Sequence, residues 1–297
     1  KFYSHGKLLL TGEYMVLRGA DALAIPTKMG QSLEFESNDS KTLKWESWDS
    51  NNQLWFNTTF NLQDFSISNT NDSEIAIRLA QILKVIRDQK NNFLRENGGK
   101  VKTHLEFDRH WGLGTSSTLI SNLARWSGVD PYELLQNSFG GSGYDIACAT
   151  AKSPLVFRKQ RLEPHVEKCA FDPPFKSSLY FVYLNQKKNS REAIESFKKQ
   201  NIREEQIAYT SGLTRAVIRA HTLGEFEQIL NEHEDFISQI LSLVPVKEKL
   251  FPDFQGAIKS LGAWGGDFIL ATGDKHTPDY FKNKGFKIVT TYEEMFG

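Results

Sequence analysis

Glycines and hydroxyls crowd together at His110-Trp111-Gly112-Leu113-Gly114-Thr115-Ser116-Ser117-Thr118, a composition suited to holding phosphate. Glycine lets a backbone approach an anion closely. The unbonded N–H groups at a helix start, with the positive end of the helix dipole, then point at the charge. The stretch lacks the GxxxxGK[ST] pattern, so it is not a Walker loop. The same residues also suit a Ser/Thr-capped helix after a tight turn, and one set of free amides can serve both purposes.

The flanking residues predict the elements that would position this loop. Val101, Thr103, Leu105 and Phe107 alternate through a strand-like run, and Leu119, Ile120, Leu123, Ala124 and Trp126 recur at helical spacing. Upstream, Lys7 to Thr11 reads as a strand. Ser32 to Glu36, Thr42 to Trp48 and Leu54 to Phe60 alternate between Asn/Asp/Ser clusters. Asn71 to Ser73 supplies cap residues for a helix carrying Ile75, Leu79, Ile82, Leu83 and Ile86, and Asp130-Pro131 starts another. Beyond them, Leu155 to Phe157 and Leu179 to Leu184 read as strands, and Arg203 to Leu243 as helix broken near Gly224. Phe268 to Ala271 and Lys287 to Thr291 read as closing strands. The change of character between residues 155 and 170 suggests a boundary, giving lobes 1–160 and 161–297.

Three segments matter in combination. They are Ser4-His5-Gly6-Lys7-Leu8-Leu9-Leu10-Thr11-Gly12-Glu13-Tyr14, the glycine loop, and Leu261-Gly262-Ala263-Trp264-Gly265-Gly266-Asp267-Phe268. In this order and at these separations they resemble the galactokinase, homoserine kinase, mevalonate kinase and phosphomevalonate kinase (GHMP) family across nearly the whole chain. Gly12-Glu13-Tyr14, Gln136 to Ala149 (QNSFGGSGYDIACA) and Gly265-Gly266-Asp267 are most similar to the phosphomevalonate kinase branch.

The resemblance implies an α+β enzyme of two lobes, the first ribosomal S5-like and the second ferredoxin-like. It would transfer the γ-phosphoryl group of ATP, with Mg²⁺, to a small acidic acceptor. 5-Phosphomevalonate leads and mevalonate comes next; diphosphomevalonate decarboxylation and a non-catalytic nucleotide-binding role are the rivals. By the same resemblance Asp145 would orient the acceptor and Lys7 would offset its charge. Gly112, Leu113, Gly114, Thr115, Ser116 and Ser117 would wrap the ATP phosphates, with Ser116 also reaching the metal. Glu13, Tyr14, Ser142, Gly143, Ser190, Gly265 and Gly266 would line the acceptor site, and a homodimer is compatible with the reading. By residue type alone Asp145 suits a helix cap and Lys7 a surface position.

Two positions depart from the family. The place of a metal-binding glutamate falls on Leu134, with Glu133 and Gln136 beside it, and Trp264 stands where glycine is usual. A core role suits Trp264 best. Lys187, Lys188, Ser190 and Arg191 could grip an acceptor anion or form a solvated loop. Trp45, Trp48 or Trp55 could flank adenine.

Composition narrows the rest. With 36 basic and 36 acidic residues and no long basic tract, the chain lacks a duplex-binding footprint. Two cysteines, Cys148 and Cys169, make neither a disulfide framework nor a zinc site, so a reduced cytoplasmic setting is expected. The seven histidines show no metal spacing, and no run suits a membrane span.

Overall fold

A computed structural model describes the whole chain except Leu162 and residues 187–189, and the side chains of residues 190–193 also lie outside the description. The chain divides into two compact units. One comprises Lys1–Gly6, Met29–Arg109 and Leu113–Thr150; the other comprises Lys7–Lys28, His110–Gly112 and Ala151–Gly297. Each unit is assembled from segments that alternate along the sequence.

The first unit holds most of strands β1 (Phe2–Leu9) and β2 (Ala22–Asn38), with β3 (Thr42–Trp48), β4 (Leu54–Asn61), β5 (Ile67–Thr70) and β6 (Gly98–Leu105). Its helices are α1 (Ser73–Gln89), α2 (Thr115–Ser127), α3 (Pro131–Gln136) and α4 (Tyr144–Ala149). The sheet order is β5-β4-β3-β6-β2; β3 and β6 run parallel, with Trp45 opposite Val101, and the other pairs are antiparallel. Alternation explains the layer: Leu33, Leu43, Trp45, Phe56, Phe60 and Val101 are buried, and Leu79, Ile82, Leu83 and Ile86 of α1 join them with Ile120 and Leu123 of α2.

Helix α1 starts where Asp72 accepts from Ile75 N at 3.1 Å, and α3 where Asp130 accepts from Glu133 N at 2.8 Å, with proline in its first turn. The buried Arg87 donates to the carbonyls of Leu62, Gln63, Phe93 and Leu94, tying two loops to α1. Polar bonds fix α2 in place. Ser4 Oγ lies 2.9 Å from both Ser121 Oγ and Asn122 Oδ1, Asn122 Nδ2 donates to Gln31 O, and Thr118 Oγ1 donates to Gln31 Oε1 at 2.7 Å. These groups are buried, so each bond spares a desolvated polar atom.

In the second unit, the first residues of β2 pair with β7 (Leu155–Arg158), which pairs with β8 (His165–Lys168). A four-stranded antiparallel sheet has the order β10-β11-β9-β12, built from β9 (Leu179–Tyr183), β10 (Ile258–Ser260), β11 (Phe268–Thr272) and β12 (Val289–Thr291). Helices α5 (Ser190–Lys198), α6 (Glu204–Arg219), α7 (Leu223–Leu241), α8 (Val246–Leu250), α9 (Thr277–Asn283) and α10 (Tyr292–Phe296) complete it. One apolar cluster joins Val182, Phe251, Phe254, Ile258, Ile269 and Phe281; another joins Tyr14, Met15, Phe197, Ile237, Ile240 and Trp264.

Candidate active site

In the first unit, helix α2 begins at Thr115 behind Gly114, which sits at the N-cap with φ 97°. No side chain from the cap position satisfies the first amides, and the first turn carries no acidic residue. An anion meets unopposed N–H dipoles there. The hydroxyls divide by orientation: Ser117 is buried and donates to Gly114 O at 2.9 Å, whereas Ser116 is exposed. Of the two, only Ser116 leaves its side chain open to solvent.

Helix α4 starts behind Gly143, which has φ 95°; Ser142 precedes it. Gly143 itself takes the cap position, so Asp145 is not the cap but stands in the first turn. There it is half-buried, and Oδ1 accepts from Ile146 N at 3.1 Å. Burial pushes the half-buried Tyr132 hydroxyl up to about 12, with the charge of Asp145 adding to the effect.

The second unit brings the three sequence motifs together around Gly112. From the first motif, Lys7 Nζ donates to Gly112 O at 2.8 Å. From the third, the Asp267 carboxylate lies so close that a Cβ on Gly112 would fall 2.5 Å from its Cγ and Oδ2. Gly112 has φ 69°, so glycine is required there both for conformation and for space. The short piece His110–Gly112 is pinned by Trp111, whose ring packs edge-on against Phe268 and tilted against Tyr183, and by Tyr183 Oη donating to His110 O at 3.2 Å.

Three non-glycine residues of these motifs adopt left-handed backbone: Tyr14 at φ 62°, Trp264 at 50° and Asp267 at 53°. Strained conformations of this kind concentrate where a site over-determines its backbone. Tyr14 is buried, and its hydroxyl is held protonated by desolvation, reinforced by the charges of Glu13 and Asp267. Gly265 has φ 75° and Gly266 is buried. Trp264 fills core space beside Tyr14 and Phe197, as its size suggests, but its Nε1 is buried without a hydrogen-bond partner among the described residues.

Beneath the first motif is a fully buried polar network. Glu13 Oε1 pairs with Lys259 Nζ at 2.6 Å, and Lys259 also donates to Ser260 O at 3.0 Å. His233 Nε2 accepts from Gly12 N at 3.1 Å, which makes the ring the neutral tautomer protonated at Nδ1. Glu234 accepts from both Ser260 N and Ser260 Oγ. Desolvation pushes Glu13 up to about 7 against the pull of Lys259, and burial with the nearby ammonium drives His233 well below its usual value. Glu13 thus supports the Gly12-Glu13-Tyr14 turn from below through its bond to Lys259.

Lys259, His233 and Asp267 are the residues that motif reading overlooked. Only Asp267 had a signal, the Gly-Gly-Asp run itself. Lys187 and Lys188 lie outside the described residues. Ser190 and Arg191 open α5, their side chains outside the description. Trp45 is core, only 1% exposed, which removes it from the candidates for an adenine contact. Leu134, at the place of the family glutamate, is fully buried, while Glu133 is exposed. Among the described residues no His/Cys/Asp/Glu group is arranged to hold a metal ion, and no helix is long and apolar enough to cross a membrane.

No family model matches this sequence, and no curated protein matches it. Solved structures do match. The chain is similar to Methanococcus jannaschii mevalonate kinase, with TM-score 0.70 and 16% identity, covering 98% of this chain and 96% of that one. It is similar to Streptococcus pneumoniae phosphomevalonate kinase in complex with phosphomevalonate and AMPPNP, with TM-score 0.69, 14% identity and 98% of each chain covered. Lactococcus lactis galactokinase complexed with galactose matches with TM-score 0.66 and 12% identity over 95% and 87% of the two chains. The fold is that of the GHMP kinases. Within the GHMP kinase fold, the α+β architecture expected from the motifs is present along nearly the whole chain.

Proposed function

We propose that the protein transfers the γ-phosphoryl group of ATP to a small acidic acceptor, 5-phosphomevalonate first and mevalonate next. The supporting observation is the convergence at Gly112, where Lys7 and Asp267 reach the glycine loop from opposite ends of the chain. A merely capped helix would need neither. The similar fold of a phosphomevalonate kinase whose structure holds phosphomevalonate and AMPPNP supports the substrate class.

Phosphoryl transfer demands positioning and charge stabilisation more than covalent chemistry. In this reading the uncapped amides of Thr115, Ser116 and Ser117 hold the nucleotide phosphates. Lys7 Nζ donates to Gly112 O, which orients the ammonium as a charge partner for transferring oxygens. Asp145 orients the acceptor. A phosphate acceptor arrives already ionised, so Asp145 then acts as organiser rather than base. Mg²⁺ would neutralise charge on the phosphate oxygens when bound. Ser116, exposed at the head of α2, fits that ion, whereas Leu134 excludes a carboxylate from the family position. The ion would accordingly rest mainly on phosphate oxygens and water.

The test is an ADP-release screen with mevalonate, 5-phosphomevalonate, diphosphomevalonate, homoserine and galactose, run on wild type, Asp145→Ala and Ser116→Ala. Acceptor-dependent ADP release is expected, lost in Asp145→Ala with AMPPNP binding retained and shifted to higher Mg²⁺ in Ser116→Ala. Turnover retained by Asp145→Ala would remove that residue from its role. Nucleotide binding without turnover of any acceptor would instead favour a non-catalytic protein.

A further inference from the structure

Away from the three motifs, the second unit carries a cavity of about 370 Å³, lined among others by Gly19, Arg158, Glu204, Ala208, Gly212 and Arg215. Its walls are organised by one buried carboxylate. Asp21 is 2% exposed in its side chain. Arg158 Nε and Nη2 both lie 2.6 Å from Oδ1, while Arg215 Nε and Nη2 lie 3.1 and 2.8 Å from Oδ2. The backbone of Asp21 is held as well, by Ser211 Oγ at its N–H and Thr214 Oγ1 at its carbonyl.

Each guanidinium therefore spends two donor groups on Asp21, and among the described residues nothing accepts from either Nη1. Two planar forks, locked in orientation and carrying one net positive charge with Asp21, are pre-organised for oxyanions. Locking them beforehand removes most of the side-chain ordering that binding would otherwise require.

A second observation bears on access to the two guanidinium groups. Gly212 lies inside helix α6, where glycine is poorer than alanine, and a Cβ there would meet nothing within 4 Å. Nothing in the protein needs that space. Ile207, Ala208, Ser211, Gly212 and Arg215 share one face of α6, and Gly212 and Arg215 are exposed on it, so the missing side chain leaves the mouth of the cavity open beside Arg215. The exposed Glu204 stands at the rim and opposes an anion. Recognition must then rest on the fixed forks, since Asp21 and Glu204 together cancel both arginine charges.

We propose that this cavity is a second small-molecule site, taking a compact polyanion of the phosphate-ester or polycarboxylate class. It is independent of the proposed phosphoryl transfer. Calorimetric titration of the full chain with pyrophosphate and, separately, with citrate tests it, each in saturating AMPPNP so that the head of α2 is competed for. Saturable binding of one probe is expected, and which probe binds identifies the class. Arg215→Gln and Gly212→Leu should each weaken it at least about tenfold, as loss of a charge-assisted contact or of the space does. Glu204→Gln should tighten it. Gly212→Leu leaves the Asp21 pairs intact and should melt no lower than wild type, because leucine favours helix over glycine. No saturable binding of either probe, or equal affinity in wild type and Gly212→Leu, would overturn the proposal.

Discussion

Replacing Lys259 with methionine isolates the energetics beneath the first motif. Both members of the Glu13–Lys259 pair are fully buried, and their contact is 2.6 Å. A rise of the Glu13 carboxyl from 4.5 to about 7 means that, above neutrality, ionised Glu13 already sits about 3 kcal/mol above its solvated state despite its cation. Lys259→Met keeps volume but removes the cation, and breaking one side of a buried pair costs about 3–5 kcal/mol. At pH 8 the variant's Glu13 can take up a proton instead of staying ionised, which limits the pH-linked part of the loss to about 1.4 kcal/mol. At pH 5 that part should vanish, because Glu13 then holds a proton with or without Lys259. Glu13→Gln leaves the ammonium unpaired instead. The double variant should lose at least about 2 kcal/mol less than the two single losses added, since neither charge remains. Urea unfolding of the four proteins at both pH values measures all of this. Additive single losses, or a Lys259→Met cost that ignores pH, would refute the picture of a coupled buried pair.

The same groups give a pH signature in wild type. Glu13 binds its proton more tightly folded than unfolded, so its contribution is fully present below about 4.5 and is lost as pH rises to about 7. His233 is depressed, so its contribution is present above 6.5 and fades as pH falls below that. Glu13→Gln should remove the first slope and leave the second, which unfolding midpoints from pH 5 to 8 would reveal. Gly112→Ala places a methyl 2.5 Å from the Asp267 carboxylate at φ 69°, whereas Gly128→Ala, at φ 73°, meets nothing within 4 Å. Gly128→Ala should cost about 1 kcal/mol and Gly112→Ala at least about 1 kcal/mol more, by urea unfolding. Arg87→Met should cost about 3 kcal/mol, because four carbonyls, that of Leu62 buried and the others partly so, lose a charged donor.

Much of the scaffold was readable because its signals are local. Leu43, Trp45 and Ser47 alternate so plainly that the pattern alone marks β3 at its observed ends, and Asp72 and Asp130 mark their helix starts as caps. In strand β2 the alternation is legible only over Ser32 to Glu36. Its first part, Ala22 to Gly30, is an apolar run interrupted by Pro26 and Gly30, without a clear period. Strand β8 buries none of its residues, so it has no pattern to read. At the site, Lys7 and the glycine loop were legible through motif order. Lys259 and His233 were not, because a buried lysine and a buried histidine look in sequence like any others until a distant Glu13 and Gly12 meet them.

The chain passes between its compact units at residues 6/7, 28/29, 109/110, 112/113 and 150/151. Two of those passages happen inside single strands, β1 and β2. Cutting the polypeptide at 28/29, 109/110 or 112/113 leaves each fragment short of segments its unit needs, whereas a cut at 150/151 keeps every segment of the first unit in one fragment. A contiguous piece that holds all of either unit therefore carries segments of the other with it.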